Sequence, residues 1–395
     1  MKRIYLDHNA TTPLDPRVFK AMEPYLRKTF GNPSSPHHYG RLAKQALEES
    51  REIVSGIIGA KPEEIIFTSG GTEADNLALR GIAYQGGRNK GHIITSSVEH
   101  HAVIRTCNAL EKDGFTVTYL PVDSEGRVDP DEIKKSIRKD TILISVMLAN
   151  NETGVIEPVA EVGKIAQECE IPFHSDAVQA VGKLVVDVRE LYTDMLSLSS
   201  HKIYGPKGVG VLFVKDGIRV SPILTGGHHE RGLRAGTENV AAIVGFARAL
   251  KIAVEEMDVY QTKLLTLRNK LESAILDKID KVEIQSVKAE RLPHTSSIGF
   301  TSVEAESILL HLDLKGIAAS SGSACTTGEP EPSHVLLAMG VSPELAQGSI
   351  RISLGRENTE EQINYTIDVL EDTIKQLRKI SSQWQTTKKS TAILV

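Results

Sequence analysis

Residues 65–73 read Ile-Ile-Phe-Thr-Ser-Gly-Gly-Thr-Glu. A run of β-formers ends in a glycine turn, and the turn opens a helical stretch, so the segment spells strand, tight turn, helix. Free N–H groups at the start of such a helix can hold a phosphate, although glycine also serves the turn's geometry without any ligand. The same alternation continues from Glu64 to Lys215. Its β-rich runs are Ile65–Thr68, Ile93–Ser96, Val117–Leu120, Leu143–Met147, Phe173–Ser175, Met195–Ser199 and Val209–Val214. This pattern predicts an α/β architecture, a mostly parallel sheet covered by helices. Leu42, Ala46, Ile53 and Ile57 before Gly59 form one predicted buried stripe, and Val244, Ala247, Leu250 and Val254 form another.

After about Met257 the pattern changes to a long polar helix, a strand-like Ser296–Thr301, a helix from Glu304, and a Ser- and Gly-rich loop around Cys325. A second, smaller domain is expected, as 395 residues exceed what one compact core usually holds. A polar tail at Gln383–Ser390 is expected to fray.

Hydrophobic residues make up 40% of the chain and charged residues 25%, which excludes a disordered chain. With 51 acidic and 46 basic residues mixed along the sequence, no field exists to collect nucleic acid. The N-terminus MKRIYLDHNATT lacks the apolar run of a secretory signal. No segment has the length of uninterrupted apolar residues that a membrane helix needs. A cytoplasmic protein is the expectation. Cys107, Cys169 and Cys325 are three thiols without CxxC spacing, which suggests neither a disulfide framework nor a structural zinc site.

In open parallel sheets ligands bind beyond the carboxyl ends of the strands. There the sequence is unusually polar. Asn150-Asn151-Glu152 follows Leu143–Met147 with amide side chains that can bind a ligand or simply make a turn. Asp176 and Gln179 follow Phe173–Ser175; a buried carboxylate there needs a cation, which a protonated pyridine nitrogen or a nearby arginine would supply. Ser200-His201-Lys202 follows Met195–Ser199, and a desolvated lysine in a cleft can lose its proton and form a Schiff base. Most lysines only solvate a surface. Four strand ends nevertheless offer a phosphate cup, an amide, a carboxylate and an amine, the parts of a pyridoxal-phosphate site.

The motifs YLDHNATT, FGNPSS, FTSGGTEADN, VEHHAV, ANNETG, HSDAVQAVGK, SLSSHKIYGPKGVG, GGHHERGLRAGTEN, SSGSACTTG, EPSHVLLAMG and GSIRISLGR occur in that order over nearly the whole chain. The series resembles the cysteine desulfurases of the class V aminotransferase family, fold-type I pyridoxal-phosphate enzymes, and its cysteine segment resembles the NifS and IscS type. The resemblance implies a large domain over 14–257 with a seven-stranded sheet, and a small α+β domain from 1–13 and 258–395. It makes Lys202 the Schiff-base lysine, sets Asp176 on the pyridine nitrogen and Gln179 on the ring hydroxyl, and stacks His100 over the ring. Gly71, Thr72, Ser199 and His201 would hold the phosphate, joined by Thr237 from the other subunit of a homodimer. Asn151 and Arg351 would hold L-cysteine, with the forked guanidinium of Arg351 on its carboxylate. Departures from the family pattern are His8, Pro36 and Glu329-Pro330.

Cys325 stands among Ser320, Ser321, Gly322, Ser323, Thr326, Thr327 and Gly328, which offer little to bury, so an exposed, mobile thiol is expected there. Cys107 and Cys169 fall in helical stretches and are expected to be small buried hydrophobes. The His-His pairs 37/38, 100/101 and 228/229 do not suggest a metal, because helical neighbours point apart. By resemblance the chain would convert L-cysteine to L-alanine and leave a persulfide on Cys325 for an acceptor such as an iron–sulfur scaffold. A selenocysteine lyase, a simple aminotransferase or a sulfur-delivery scaffold are the alternatives; loss of Cys325 separates the first two, and turnover of cysteine the last.

Overall fold

The computed structural model describes residues 3–86, 90–322 and 332–381. Seven strands form the central sheet: β1 (Ile65–Thr68), β2 (His92–Ser96), β3 (Thr116–Leu120), β4 (Thr141–Ser145), β5 (Phe173–Asp176), β6 (Met195–Ser199) and β7 (Gly210–Val214). Their order is β1-β7-β6-β5-β4-β2-β3, and only β7 runs antiparallel to its neighbours. Each β-rich run of the sequence is one of these strands.

Successive residues of the strands feed opposite faces. Ile65, Phe67, Ile94, Ile144, Leu196, Val211 and Phe213 join one buried cluster. Ile66, Ile93, Leu143, Met195 and Leu212 join the cluster on the other face. A sheet covered on both sides takes apolar residues on both faces of its strands, as at Ile65, Ile66 and Phe67 and at Ile93 and Ile94, while the buried polar positions of β5 and β6, such as His174 and Ser197, bond to each other.

The helix stripes differ from expectation. Helix His38–Ile58 buries Ala43, Ala46, Leu47, Ser50, Arg51, Val54, Ser55 and Ile58, while Leu42 and Ile53 are exposed. Its buried face carries polar groups because Arg51 pairs with Glu230 at 2.8 Å, both buried. Glu230 also accepts the amide of Phe67 at 2.8 Å, so the pair ties the 226–239 loop to β1. Helix Val240–Glu255 buries Ala247 and Leu250 but exposes Val254; it is buried nearly all round, so no single stripe describes it.

A second sheet is antiparallel, in the order Ser320–Ser321, Ser349–Ser353, Thr295–Phe300, Val282–Ile284. With helices Met257–Lys278, Ala305–Leu314 and Glu360–Ile380 it encloses a separate apolar cluster, to which Ile4 and Leu6 belong. Ile4–Tyr5 pairs in parallel with Ile317–Ala318, which sends residues 7–12 out of this cluster toward the carboxyl ends of the central strands. Among the described residues no helix is long and apolar enough to cross a membrane. The tail beyond Ser381 lies outside the described residues.

Candidate active site

A cavity of about 400 Å³ opens at the carboxyl ends of β1, β2, β4, β5 and β6. Gly71, Thr72, His100, Asn151, Asp176, Gln179, Ser199, His201, Lys202 and Arg351, all singled out in the sequence, line it. Two expected site residues are not in this lining. Thr237 is exposed on the 226–239 loop. Cys325 lies outside the described residues, and with it the expected mobility of its loop.

β1 delivers the first wall. Gly70 takes φ 157° and ψ −179°, a backbone region almost reserved for glycine, and it launches helix Gly71–Ala83 with its first amides toward the cavity. The hydroxyl of Ser199, at the end of β6, is buried beside them without a hydrogen-bond partner.

β6 continues into Lys202, whose Nζ donates to the carbonyls of Asn9 at 2.5 Å and Ala10 at 2.9 Å. Among the described residues no carboxylate forms an ion pair with it. Burial, and then the positive charge of Arg351, lowers its amine to about 8, against a smaller pull upward from Asp176 and Asp7. His201 is tied back to Thr11, Nδ1 to Oγ1 at 3.1 Å.

β5 ends in Asp176. Its carboxylate accepts the Val178 amide at 2.9 Å and makes no ion pair with an arginine. Asp75, from the helix that follows Gly71, sits close by: Asp75, Asp176 and His100 bring ligand atoms within 4.8 Å of one another. Burial first, and then the charge of Asp176, raise the carboxyl of Asp75 well above the usual range, and burial raises Asp176 less, to about 6, so the negative charge of the pair rests mainly on Asp176. Gln179 is fixed at both ends of its amide. Nε2 donates to Asn9 O at 2.9 Å, and Oε1 accepts from the buried Lys183 at 3.2 Å.

His100 caps helix His101–Lys112, its Nδ1 accepting the Ala102 amide at 3.1 Å, and among the described residues nothing bonds to its Nε2. Burial first, then Lys202, lowers its ring to about 4, so it is neutral near pH 7. His101, its sequence neighbour, turns away to stack on His334 with ring centroids 4.8 Å apart. Arg351 donates to Asn151 O at 3.0 Å and pairs with Asp7 at 2.9 Å, while its Nε is buried and unpartnered.

Asn9, Ala10, Asp75, Met147 and Val178 also line the cavity and were given no role from sequence. For Asp75 a signal existed: it lies three and four residues after Thr72 and Gly71, on the same helix face. The other cysteines divide. Cys107 is buried, and burial pushes its thiol up to about 12. Cys169 caps helix Val159–Glu168 and is exposed, contrary to expectation, because the chain turns there at the sheet's outer rim.

The aminotransferase class-V family model matches residues 4–366. The cysteine desulfurase IscS of Dictyoglomus turgidum is 53% identical over 394 residues, covering 99% of this chain and 100% of the relative. The solved structure of a NifS-like protein superposes with TM-score 0.89 at 40% identity, covering 95% of this chain and 100% of that one. SspA, solved in complex with cysteine, superposes with TM-score 0.78 at 37% identity, covering 89% of this chain and 98% of that one. The chain belongs to the class V aminotransferase family, among its cysteine desulfurases.

Enzymes of this kind use pyridoxal 5′-phosphate, and the cavity fits it. The unpartnered Ser199 hydroxyl beside a helix N-terminus suits a phosphate, the charge on Asp176 suits a pyridinium, and the depressed amine of Lys202 suits an aldehyde. A pH dependence follows for cofactor uptake by the cofactor-free protein. Only the neutral amine attacks an aldehyde, and an amine lowered to about 8 is neutral in roughly a tenth of molecules at pH 7 and half at pH 8. The rate of appearance of the cofactor's visible band should rise about fivefold between those pH values and level off above about 9. A tenfold rise per unit continuing to pH 10 would mean an unperturbed lysine.

Proposed function

We propose that the chain removes sulfur from L-cysteine, giving L-alanine and a persulfide on Cys325. The observation that carries this is the convergence of a low-pKa lysine, a charged aspartate and a partly unpartnered arginine on one cavity, in a chain related over its whole length to cysteine desulfurases. Gly71, Thr72, Ser199 and His201 would hold the cofactor's phosphate, Asp176 its ring nitrogen and Gln179 its ring hydroxyl, and His100 would stack on the ring. Bound there, the cofactor supplies an electron sink for the bond broken at the substrate's Cα.

Arg351 and Asn151 orient the substrate, the guanidinium on its carboxylate. Lys202, once free, takes the Cα proton, and its lowered pKa matches that task near neutral pH. The Cys325 thiolate then forms an S–S bond to the substrate sulfur. The C–S bond breaks with its electron pair going to the β-carbon, which takes up a proton. His100, neutral and with nothing among the described residues bonded to its Nε2, is placed to receive the substrate's thiol proton.

The same proposal covers the surroundings of the reaction. The protein acts as a cytoplasmic homodimer in which Thr237 of the partner subunit completes the phosphate site, and an iron–sulfur scaffold or similar protein accepts the sulfur. The division into 14–257 and 1–13 with 258–395 is supported by the separate apolar clusters around the two sheets. The test is the conversion itself. Purified, cofactor-loaded protein given L-cysteine and a thiol reductant should release alanine and sulfide in equal amounts, and mixed Lys202→Ala and Thr237→Ala subunits should regain part of that activity. Alanine without sulfide would overturn the reaction, and no recovery on subunit exchange would overturn the shared site.

A further inference from the structure

Glu152 sits in the loop that carries Asn151, yet it is buried and takes no part in the cavity lining. Its Oε2 accepts the hydroxyl of Ser333 at 2.5 Å. A Cβ added to Gly322 would stand 2.1 Å from the same oxygen, so any larger residue there would push the carboxylate off its place. Gly322 and Ser333 flank the sequence that contains Cys325 on its two sides.

The two flanks are held to the substrate side of the cavity in other ways too. Ser320 pairs with Arg351 in the small sheet. His334, next to Ser333, bonds through Nε2 to the carbonyl of Glu99 at 3.0 Å, one residue before His100. Glu152 itself has its amide on Asn150 Oδ1 at 2.8 Å, which fixes the loop from which the carboxylate projects. A buried carboxylate is costly unless bonded: burial raises that of Glu152 to about 7, and the Ser333 hydroxyl and the charge of Arg351 counter this only in part. A side chain that only filled space could be apolar.

We infer that Glu152 is a positioning residue for sulfur transfer: by binding Ser333 and packing on Gly322, it holds both flanks of the Cys325 segment against the loop that orients the substrate. The inference rests on Cys325 as the sulfur carrier. Its role differs from that of Lys202 or Arg351, because it acts on where the thiol is delivered and not on cysteine binding.

The test uses cofactor-loaded protein and cysteine labelled in its sulfur, with two readings. One is the cysteine-induced change in cofactor absorbance, which reports binding. The other is labelled persulfide on Cys325 in a single turnover, found by peptide mass spectrometry. In Glu152→Ala the dissociation constant from absorbance should stay within about twofold while persulfide formation slows at least about tenfold, a cost typical of misplaced reacting groups. Glu152→Gln keeps an acceptor for Ser333 and should recover most of the rate. Should Glu152→Ala fail to fold, Ser333→Ala, with Ser333→Thr as its conservative rescue, must show the same split. Persulfide formation within about twofold of wild type in the alanine variants would overturn the inference, as would equal loss of both readings. Wild-type protein that never labels Cys325 would instead overturn the desulfurase reading.

Discussion

Lys202→Ala lowers alanine production from L-cysteine by at least about 10³-fold while leaving the protein folded. Among the described residues that line the cavity, only this amine can both bond covalently to the cofactor's aldehyde and collect a proton from Cα. Its removal costs two hydrogen bonds, to Asn9 O and Ala10 O. Asn9 O retains the Gln179 amide, so the loss of stability should stay near 1–2 kcal/mol, the usual net worth of one or two such bonds. Borohydride treatment of the wild type should fix the cofactor on the peptide containing Lys202. Label on another lysine, or normal turnover by the variant, would refute the assignment; a lowered melting temperature alone would not.

Cys325→Ser separates binding from sulfur transfer. The variant should still perturb the cofactor's absorbance when cysteine is added, because Arg351, Asn151 and Lys202 are untouched, yet sulfide release should fall by at least about 10³-fold. A serine hydroxyl is not ionised near neutral pH and forms no stable bond to sulfur, whereas a thiolate is both nucleophile and carrier. Desulfuration at the wild-type rate would end the persulfide role and return a selenocysteine lyase or aminotransferase to first place.

Much of this site was legible because parallel sheets advertise themselves. A strand buried on both faces is largely apolar, as at Ile65, Ile66 and Phe67, and the polar residue at its end marks the cavity: Asp176 closing β5, Lys202 just past β6. What was not legible depended on contacts remote in sequence. Arg51 belongs to a buried face only because Glu230 meets it, so a stripe drawn through Leu42 and Ile53 followed hydrophobicity onto the wrong side of the helix. Asp75 looked like an ordinary helical acid until Asp176 stood beside it. Asn9 gave no sign of its position because its partners His294 and Thr295 lie 285 and 286 residues further along the sequence.

Asn9 leaves the ribosome long before its partners: its amide bonds to the hydroxyl of Ser353 at 2.9 Å and its side chain to His294 at 2.8 Å, made 344 and 285 residues later. Its carbonyl meanwhile receives Lys202 and Gln179. The nascent chain can therefore lay down all seven central strands and still lack a closed cofactor pocket, because the residue that locks Lys202 in place waits for the last strand to be synthesised. Maturation is thus coupled to synthesis of the small sheet: a chain interrupted before Ser349 carries the lysine and the aspartate but not the setting that brings them together.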